Sequence, residues 1–259
     1  MHCSHCDIEI LEQPFVVEGE IFCCERCYGA AQRLKSAHIE REKNTLDLIG
    51  ALIRALDSRE LNTANHSQRV ARYSHFLARL MGVPADECLH ICRGALLHDI
   101  GKIGIPDNIL LKPDKLTPGE WQVMQQHPTI GRDILAGIDD MTQAAELVYS
   151  HHEHYDGGGY PRGLASEAIP LGARIFMVAD AVDAITNDRP YHKGASLNVA
   201  IEHLQDQSGR TFDPAVVNAL VEHQNAFAAL MVKLTSQASI SFDESALVSD
   251  IQTRPLHEK

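Results

Sequence analysis

Histidine and aspartate recur at the ends of stretches whose apolar residues keep helical spacing. This constrains the fold more than any other feature of the chain. His98-Asp99 follows Leu89, Cys92 and Leu96, and His151-His152 closes a stretch that begins at Thr142, read as its cap, and runs through Val148. His66, His127 and Asp180 sit singly on three further segments of the same kind. Leu46, Ile49, Leu52, Ile53 and Leu56 mark a helical face within residues 30–61. Val70, Tyr73, Leu77 and Leu80 mark a face that ends near Gly82, and Ile175, Val178, Ala179 and Val182 mark another. Thr117-Pro118-Gly119-Glu120 has the form of a capping box, with proline at the first helical position, and Asp213-Pro214 opens a further helix. No period-two alternation occurs outside the first 30 residues. The main domain is therefore expected to be all-α, with distant helices bringing two adjacent donor pairs and three single donors together.

The 259 residues suffice for one substantial domain and a small appendage, and 44% hydrophobic content permits a real core. No apolar run approaches the roughly 20 residues that span a bilayer, so membrane insertion is not expected. The opening MHCSHC has neither the basic region nor the apolar run of a signal peptide, so the chain reads as cytoplasmic. A net charge of -12 disfavours polymeric nucleic acid as a partner. A small phosphorylated ligand stays compatible, because bound cations would invert the local field. Fifteen histidines make metal the natural reading of the donor pairs. Imidazole together with carboxylate suits Fe, Mn, Zn or Co better than Ca or Mg, and an aspartate among histidines can bridge two cations, as neutral imidazole cannot. His38, His75, His90, His203, His223 and His257 read as bystanders.

The segments HDIGKIGIPDNILLKPDKLTPGEWQVMQQHPTIGRDIL, HHEHYDGGGYPRGL and IPLGARIFMVADAVDAITNDRPY resemble the HD-GYP family, a branch of the HD phosphohydrolases, over residues 52–228. The resemblance implies an HD-type helical bundle. It assigns one metal to His66, His98, Asp99 and Asp180 and a second to Asp99, His127, His151 and His152, with Asp99 shared. A third metal in some relatives uses a Glu where this chain has Asn62, so two ions are expected, Fe or Mn. The implied substrate is cyclic di-GMP, cleaved to linear pGpG and onward to GMP by metal-activated water. Asp99 and Lys102 are the implied catalytic residues. Lys102 and Arg189 resemble the family's phosphate contacts. Tyr160, in the Gly159-Tyr160-Pro161 signature, either stacks on a guanine or packs against the bundle. Two departures stand out: His192-Lys193 follows Tyr191 where an arginine is usual, with Lys193 as the substitute cation, and Asn65 replaces a common glycine before His66. A catalytically silent receptor and a hydrolase for another cyclic dinucleotide are the competing readings. A homodimer or signalling proteins are the macromolecular partners considered.

Five of the seven cysteines lie in the first 27 residues. Cys3-x2-Cys6 and Cys24-x2-Cys27 have the spacing of a four-thiolate zinc site, in which Cys23 could replace Cys24. The pattern resembles the small N-terminal metal-binding domain of some cation-transport ATPases, and both a structural zinc finger and a metal or redox sensor fit it. Cys88 and Cys92 read as core residues. The expected organisation is a cysteine-rich zinc unit at 1–30, a helical connector at 31–51, the phosphohydrolase domain at 52–234 and a tail at 235–259.

Overall fold

A computed structural model of the protein describes residues 2–10, 15–17, 19–59, 63–188 and 193–236. The expectations for Asn62, Arg189, His192, His257 and residues 237–259 lie outside the described residues. The chain forms two compact units, residues 1–48 and 49–259.

In the first unit, β1 (Phe15–Val17) pairs antiparallel with β2 (Glu20–Phe22), with Phe15 opposite Phe22 and Val17 opposite Glu20. The helix α1 (Glu25–Asp57) begins directly after Cys23-Cys24 and contributes its last turns to the second unit. Residues 31–51, expected as a connector, lie within this helix. Phe22 is fully buried and meets the Tyr28 ring edge-on at 5.4 Å. A unit of this size cannot bury enough apolar surface to stand on a core alone, and such units usually need a metal or disulfides.

In the second unit the regular elements among the described residues are all helices, joined by loops. It contains α2 (Thr63–Leu80), α3 (Ala85–Leu97), a 3-10 turn at Ile100–Gly104, α4 (Asp107–Leu110), α5 (Pro118–Met124), α6 (His127–Leu135), α7 (Thr142–Ser150), a 3-10 turn at Ser166–Ala168, α8 (Leu171–Thr186), α9 (Leu197–Asp206), α10 (Pro214–Glu222) and α11 (Gln224–Ser236). α11 therefore carries helix through the first two residues of the expected tail.

α2, α3, α7 and α8 pack around one core. α2 buries Val70, Tyr73 and Leu77, α3 buries Cys88, Ile91, Cys92 and Leu96, and α8 buries Ile175, Phe176, Val178, Ala179 and Val182. They include most of the residues that the helical spacing predicts, whereas Leu80 and Leu89 of those faces are half-buried. Each large apolar side chain so buried contributes roughly 1.5–3 kcal/mol. The Cys88 and Cys92 thiols point at the carbonyls of Val83 and Ala71, as small core residues.

Helix ends follow the local chemistry. Thr117 and Glu120 form the capping box of α5, Thr117 Oγ1 accepting from Glu120 N and Glu120 Oε2 from Thr117 N. Asp213 caps α10 by accepting from Ala215 N at 2.8 Å, while its other oxygen pairs with Arg174 of α8 at 2.5 Å. Thr142 behaves otherwise: it is the first residue of α7, and the cap position falls to Met141, whose apolar side chain packs in the core without a capping bond.

Candidate metal centre and active site

The seven histidines and aspartates of the sequence pattern all line one cavity of about 330 Å³ in the second unit. His66 comes from the start of α2, His98 and Asp99 from the end of α3, His127 from the first position of α6, His151 and His152 from the end of α7, and Asp180 from mid-α8. The two Asp99 oxygens face different partners. Oδ2 lies 3.1 Å from His98 Nε2, whereas Oδ1 lies 3.5 Å from His127 Nε2. On the first side, His66 Nε2 is 3.3 Å from Asp180 Oδ1. On the second, His127, His151 and His152 hold donor atoms within 4.8 Å of one another.

A shared local device aims these rings. His98 Nδ1 donates to Ala95 O at 2.8 Å, His127 Nδ1 to Met124 O at 2.8 Å and His151 Nδ1 to Val148 O at 2.6 Å. Each bond reaches back three residues to a carbonyl in the last turn of a helix, where backbone acceptors lack intrahelical partners. A proton held on Nδ1 leaves the Nε2 lone pair to face the cavity, as metal-binding histidines require. His66 reaches the same state through a carboxylate. Its Nδ1 bonds Asp183 Oδ2 at 2.7 Å, and the buried Asp183 is held by Arg69 through Nε at 2.6 Å and Nη2 at 2.9 Å.

These residues fit a bound cation. With Nδ1 protonated on both rings, the His127 and His151 Nε2 lone pairs confront each other at 3.1 Å. Two such lone pairs repel unless an electrophile lies between them. Nitrogens about 2.1 Å from one cation and about a right angle apart are separated by about 3 Å. Electrostatics agree. Burial, with the charges of His152 and His127, holds the His151 imidazole well below its ordinary value; burial and His127 push His152 down to about 3; burial lowers His127. Neutral imidazoles are what a metal site needs. Burial works against ionising Asp99, but His98 and Lys102 outweigh it and hold its carboxyl well below the usual range. Burial likewise opposes the His98 imidazolium, yet the Asp99 carboxylate raises its pKa, marking a position where positive charge is stabilised.

Lys102 Nζ lies 2.9 Å from Asp99 Oδ2 at the cavity wall. The Tyr160 ring also lines the cavity and stacks on His152 at 4.8 Å and 28°. Lys193, expected as a phosphate contact, is exposed and is not among the residues that line this cavity, and the next residue, Gly194, donates its N–H to Asp188 Oδ1 at 2.7 Å.

Several residues that support the site carry little signal in sequence. Asp183 lies one helical turn beyond Asp180, a spacing that could have suggested a shared face. The buried Glu153 accepts from Arg162 N at 2.7 Å and Leu164 N at 3.0 Å, pinning the loop that carries Tyr160. A Cβ on Gly159 would lie 2.2 Å from His154 N and 2.4 Å from His152 O, so only glycine lets the loop press against the backbone beside His152. Arg59 donates to the carbonyls of Lys102 (3.3 Å), Ile103 and Ile105 (2.8 Å), and pairs with Asp107, fixing the turn that presents Lys102.

In the first unit, the sulfurs of Cys3, Cys6, Cys23 and Cys27 lie within 4.8 Å of one another. The expected quartet had Cys24, with Cys23 as the alternative, and the group that lies together contains Cys23 and not Cys24. Cys24 stands at the entry to α1, exposed, with its sulfur 3.8 Å from that of Cys23. The Cys6 sulfur lies 3.7 Å from Cys23 and 3.8 Å from Cys27, and Cys23 and Cys27 are 3.2 Å apart. A tetrahedron of ~2.3 Å zinc–sulfur bonds separates its sulfurs by about 3.8 Å. Burial opposes ionisation of the Cys3 thiol, but backbone N–H groups of Cys6, His5 and Cys23 bring it down to about 6.

Fold and cluster together define a class of protein: a helical domain with a buried histidine–aspartate centre. The sequence profile of the HD domain family matches residues 50–216, well over half of the chain. The chain belongs to the HD domain family, in its HD-GYP branch. It is 41% identical over 199 residues to the cyclic di-GMP phosphodiesterase response regulator RpfG of Xanthomonas campestris pv. campestris, covering 76% of this chain and 53% of that one. It is 40% identical over 185 residues to a cyclic di-GMP phosphodiesterase of Thermotoga maritima, covering 71% and 50%. It is 38% identical over 198 residues to the 3'3'-cGAMP-specific phosphodiesterase 2 of Vibrio cholerae, covering 76% and 38%. The chain thus spans about half the length of the first two relatives. A crystal structure of a cyclic GMP-AMP-specific phosphodiesterase of Vibrio cholerae shares the fold, with a TM-score of 0.59 at 22% identity, covering 80% of this chain and 53% of that one. Among the described residues, no helix is long and apolar enough to cross a membrane.

Proposed function

We propose that this chain is a phosphodiesterase that opens cyclic dinucleotides, with cyclic di-GMP as its main substrate, using two transition-metal cations, Fe or Mn. One observation carries this reading. The carboxylate of Asp99 turns one oxygen to each of two sets of imidazoles and keeps a lysine ammonium at 2.9 Å. His66, His98, Asp99 and Asp180 would hold one cation, and Asp99, His127, His151 and His152 the other. When bound, such a pair activates water near neutral pH and neutralises charge on a phosphodiester. The chain's own residues supply the rest. The i−3 bonds and Asp183 keep the donor rings aimed before substrate arrives. Lys102, fixed through its turn by Arg59, donates to a non-bridging phosphate oxygen and stabilises the charge that grows there. The names of the relatives support both cyclic di-GMP and 3'3'-cGAMP as substrates of this cavity.

The test is to incubate anaerobically metal-loaded protein with each dinucleotide and resolve the products. Linear pGpG or GMP is expected from cyclic di-GMP. Intact cyclic di-GMP with both metals bound would overturn the reading in favour of a receptor, and cleavage of 3'3'-cGAMP alone would move the substrate. Lys102→Ala is expected to lower turnover about a hundredfold with metal content intact. Loss of metal from that variant would show that Lys102 supports the cluster instead.

For the first unit, we infer a zinc ion held by Cys3, Cys6, Cys23 and Cys27. Cys23→Ser is expected to release zinc from the purified protein, and Cys24→Ser to retain it, both read by metal analysis. The opposite pair of results would restore Cys24 to the quartet.

A further inference from the structure

The cavity that holds the histidine–aspartate cluster is also lined by Leu110, Leu116, Trp121, Met124 and Tyr160. Trp121 is the only tryptophan of the chain, and it is 47% exposed although it borders the cavity. The helix that carries it is unusual: α5 buries none of its residues. It is held by polar bonds instead, through its capping box and through Lys112, whose ammonium binds Glu120 at 2.6 and 2.9 Å. An indole is the largest apolar surface a side chain offers, and here it is not spent on the core. Its ring meets Tyr160 edge-on at 6.4 Å and 76°, and Tyr160 in turn stacks on His152. A series of rings therefore leads from the metal cluster to an exposed indole on the cavity lining.

A nucleotide diester matches that layout, since its phosphate seeks cations and its base offers a flat π-face. Stacking between a base and an aromatic side chain needs no hydrogen-bond readout and is a recurring way of holding unpaired nucleotides. We propose that Trp121 is the platform on which one nucleobase of the substrate stacks while the adjoining phosphate lies at the cluster. This inference rests on the phosphodiesterase reading of the same cavity. It assigns α5 a role in substrate binding, with chemistry left to the cluster.

The measurement uses the full-length, metal-loaded protein. Trp121→Ala is expected to raise KM for cyclic di-GMP about tenfold to a hundredfold, with kcat changed by less than about threefold. Trp121→Phe should recover most of the affinity, and Trp121→Leu, apolar but not aromatic, should not. Trp121 is also its own reporter. In the Lys102→Ala background, where turnover is slow, cyclic di-GMP should quench the tryptophan emission saturably. Cleavage of cyclic di-GMP with unaltered emission, or a leucine variant as good as phenylalanine, would overturn the platform and leave the phosphodiesterase reading intact. Metal-loaded wild-type protein that neither binds nor cleaves a cyclic dinucleotide would bring down both.

Discussion

Replacing Asp99 with alanine is expected to lower cyclic dinucleotide hydrolysis at least a thousandfold, ~4 kcal/mol of barrier, and to strip most metal from the second unit. The reason is geometric. The oxygens of Asp99 approach imidazoles of both groups, His98 at 3.1 Å and His127 at 3.5 Å. Without it, the neutral imidazoles of His127, His151 and His152 keep their lone pairs but lose the anion that offsets a cation's charge. Lys102 loses its carboxylate partner at the same time. Metal analysis and a product assay on one preparation read the two effects together, and a folded variant that retains both metals and turns over normally would remove Asp99 from the centre.

The second large effect is structural. Gly101→Ala is expected to destabilise the second unit by about 4 kcal/mol or more, lowering Tm by about 10 °C. A Cβ at this position would lie 1.9 Å from His127 O and 2.5 Å from Gly131 N. Both obstacles are backbone, so no rotamer change relieves them, and the turn at Ile100–Gly104 must lift off the start of α6. That separates Asp99 from His127, so metal content should fall together with stability. Thermal unfolding with parallel metal analysis checks this, and an alanine variant with unchanged melting and metal would show that the two elements are not in such contact.

Much of this architecture is legible in the amino-acid sequence. The apolar spacing of Val70, Tyr73 and Leu77, and of Ile175, Val178 and Val182, marks the buried faces of α2 and α8, since burial on one side of a helix repeats every three to four residues. Thr117 and Glu120 announce the start of α5, because a capping box is local chemistry. The donors of the centre were legible as residue types, whereas what orients them was not. The link between Asp183, Arg69 and His66 joins α8 to α2 across more than a hundred residues, and spacing alone says little of it. Lys193 is a different case: its charge suggests a phosphate contact, and it is exposed and not among the residues that line the cavity. Cys23 and Cys24 are chemically identical neighbours at the entry to a helix, so only the path of the backbone decides which thiol points inward.

By itself, then, the amino-acid sequence determined the helical class, the histidines and aspartates that line the cavity and the presence of a cysteine cluster, because these depend on residue types and on periods that run along the chain. Tertiary structure alone decided which oxygen of Asp99 faces which histidine, which cysteine lies beside Cys3, Cys6 and Cys27, and that the indole of Trp121 borders the cavity. Those are facts about atoms a few ångströms apart in space and tens of residues apart in sequence, and packing, not local preference, brings them together.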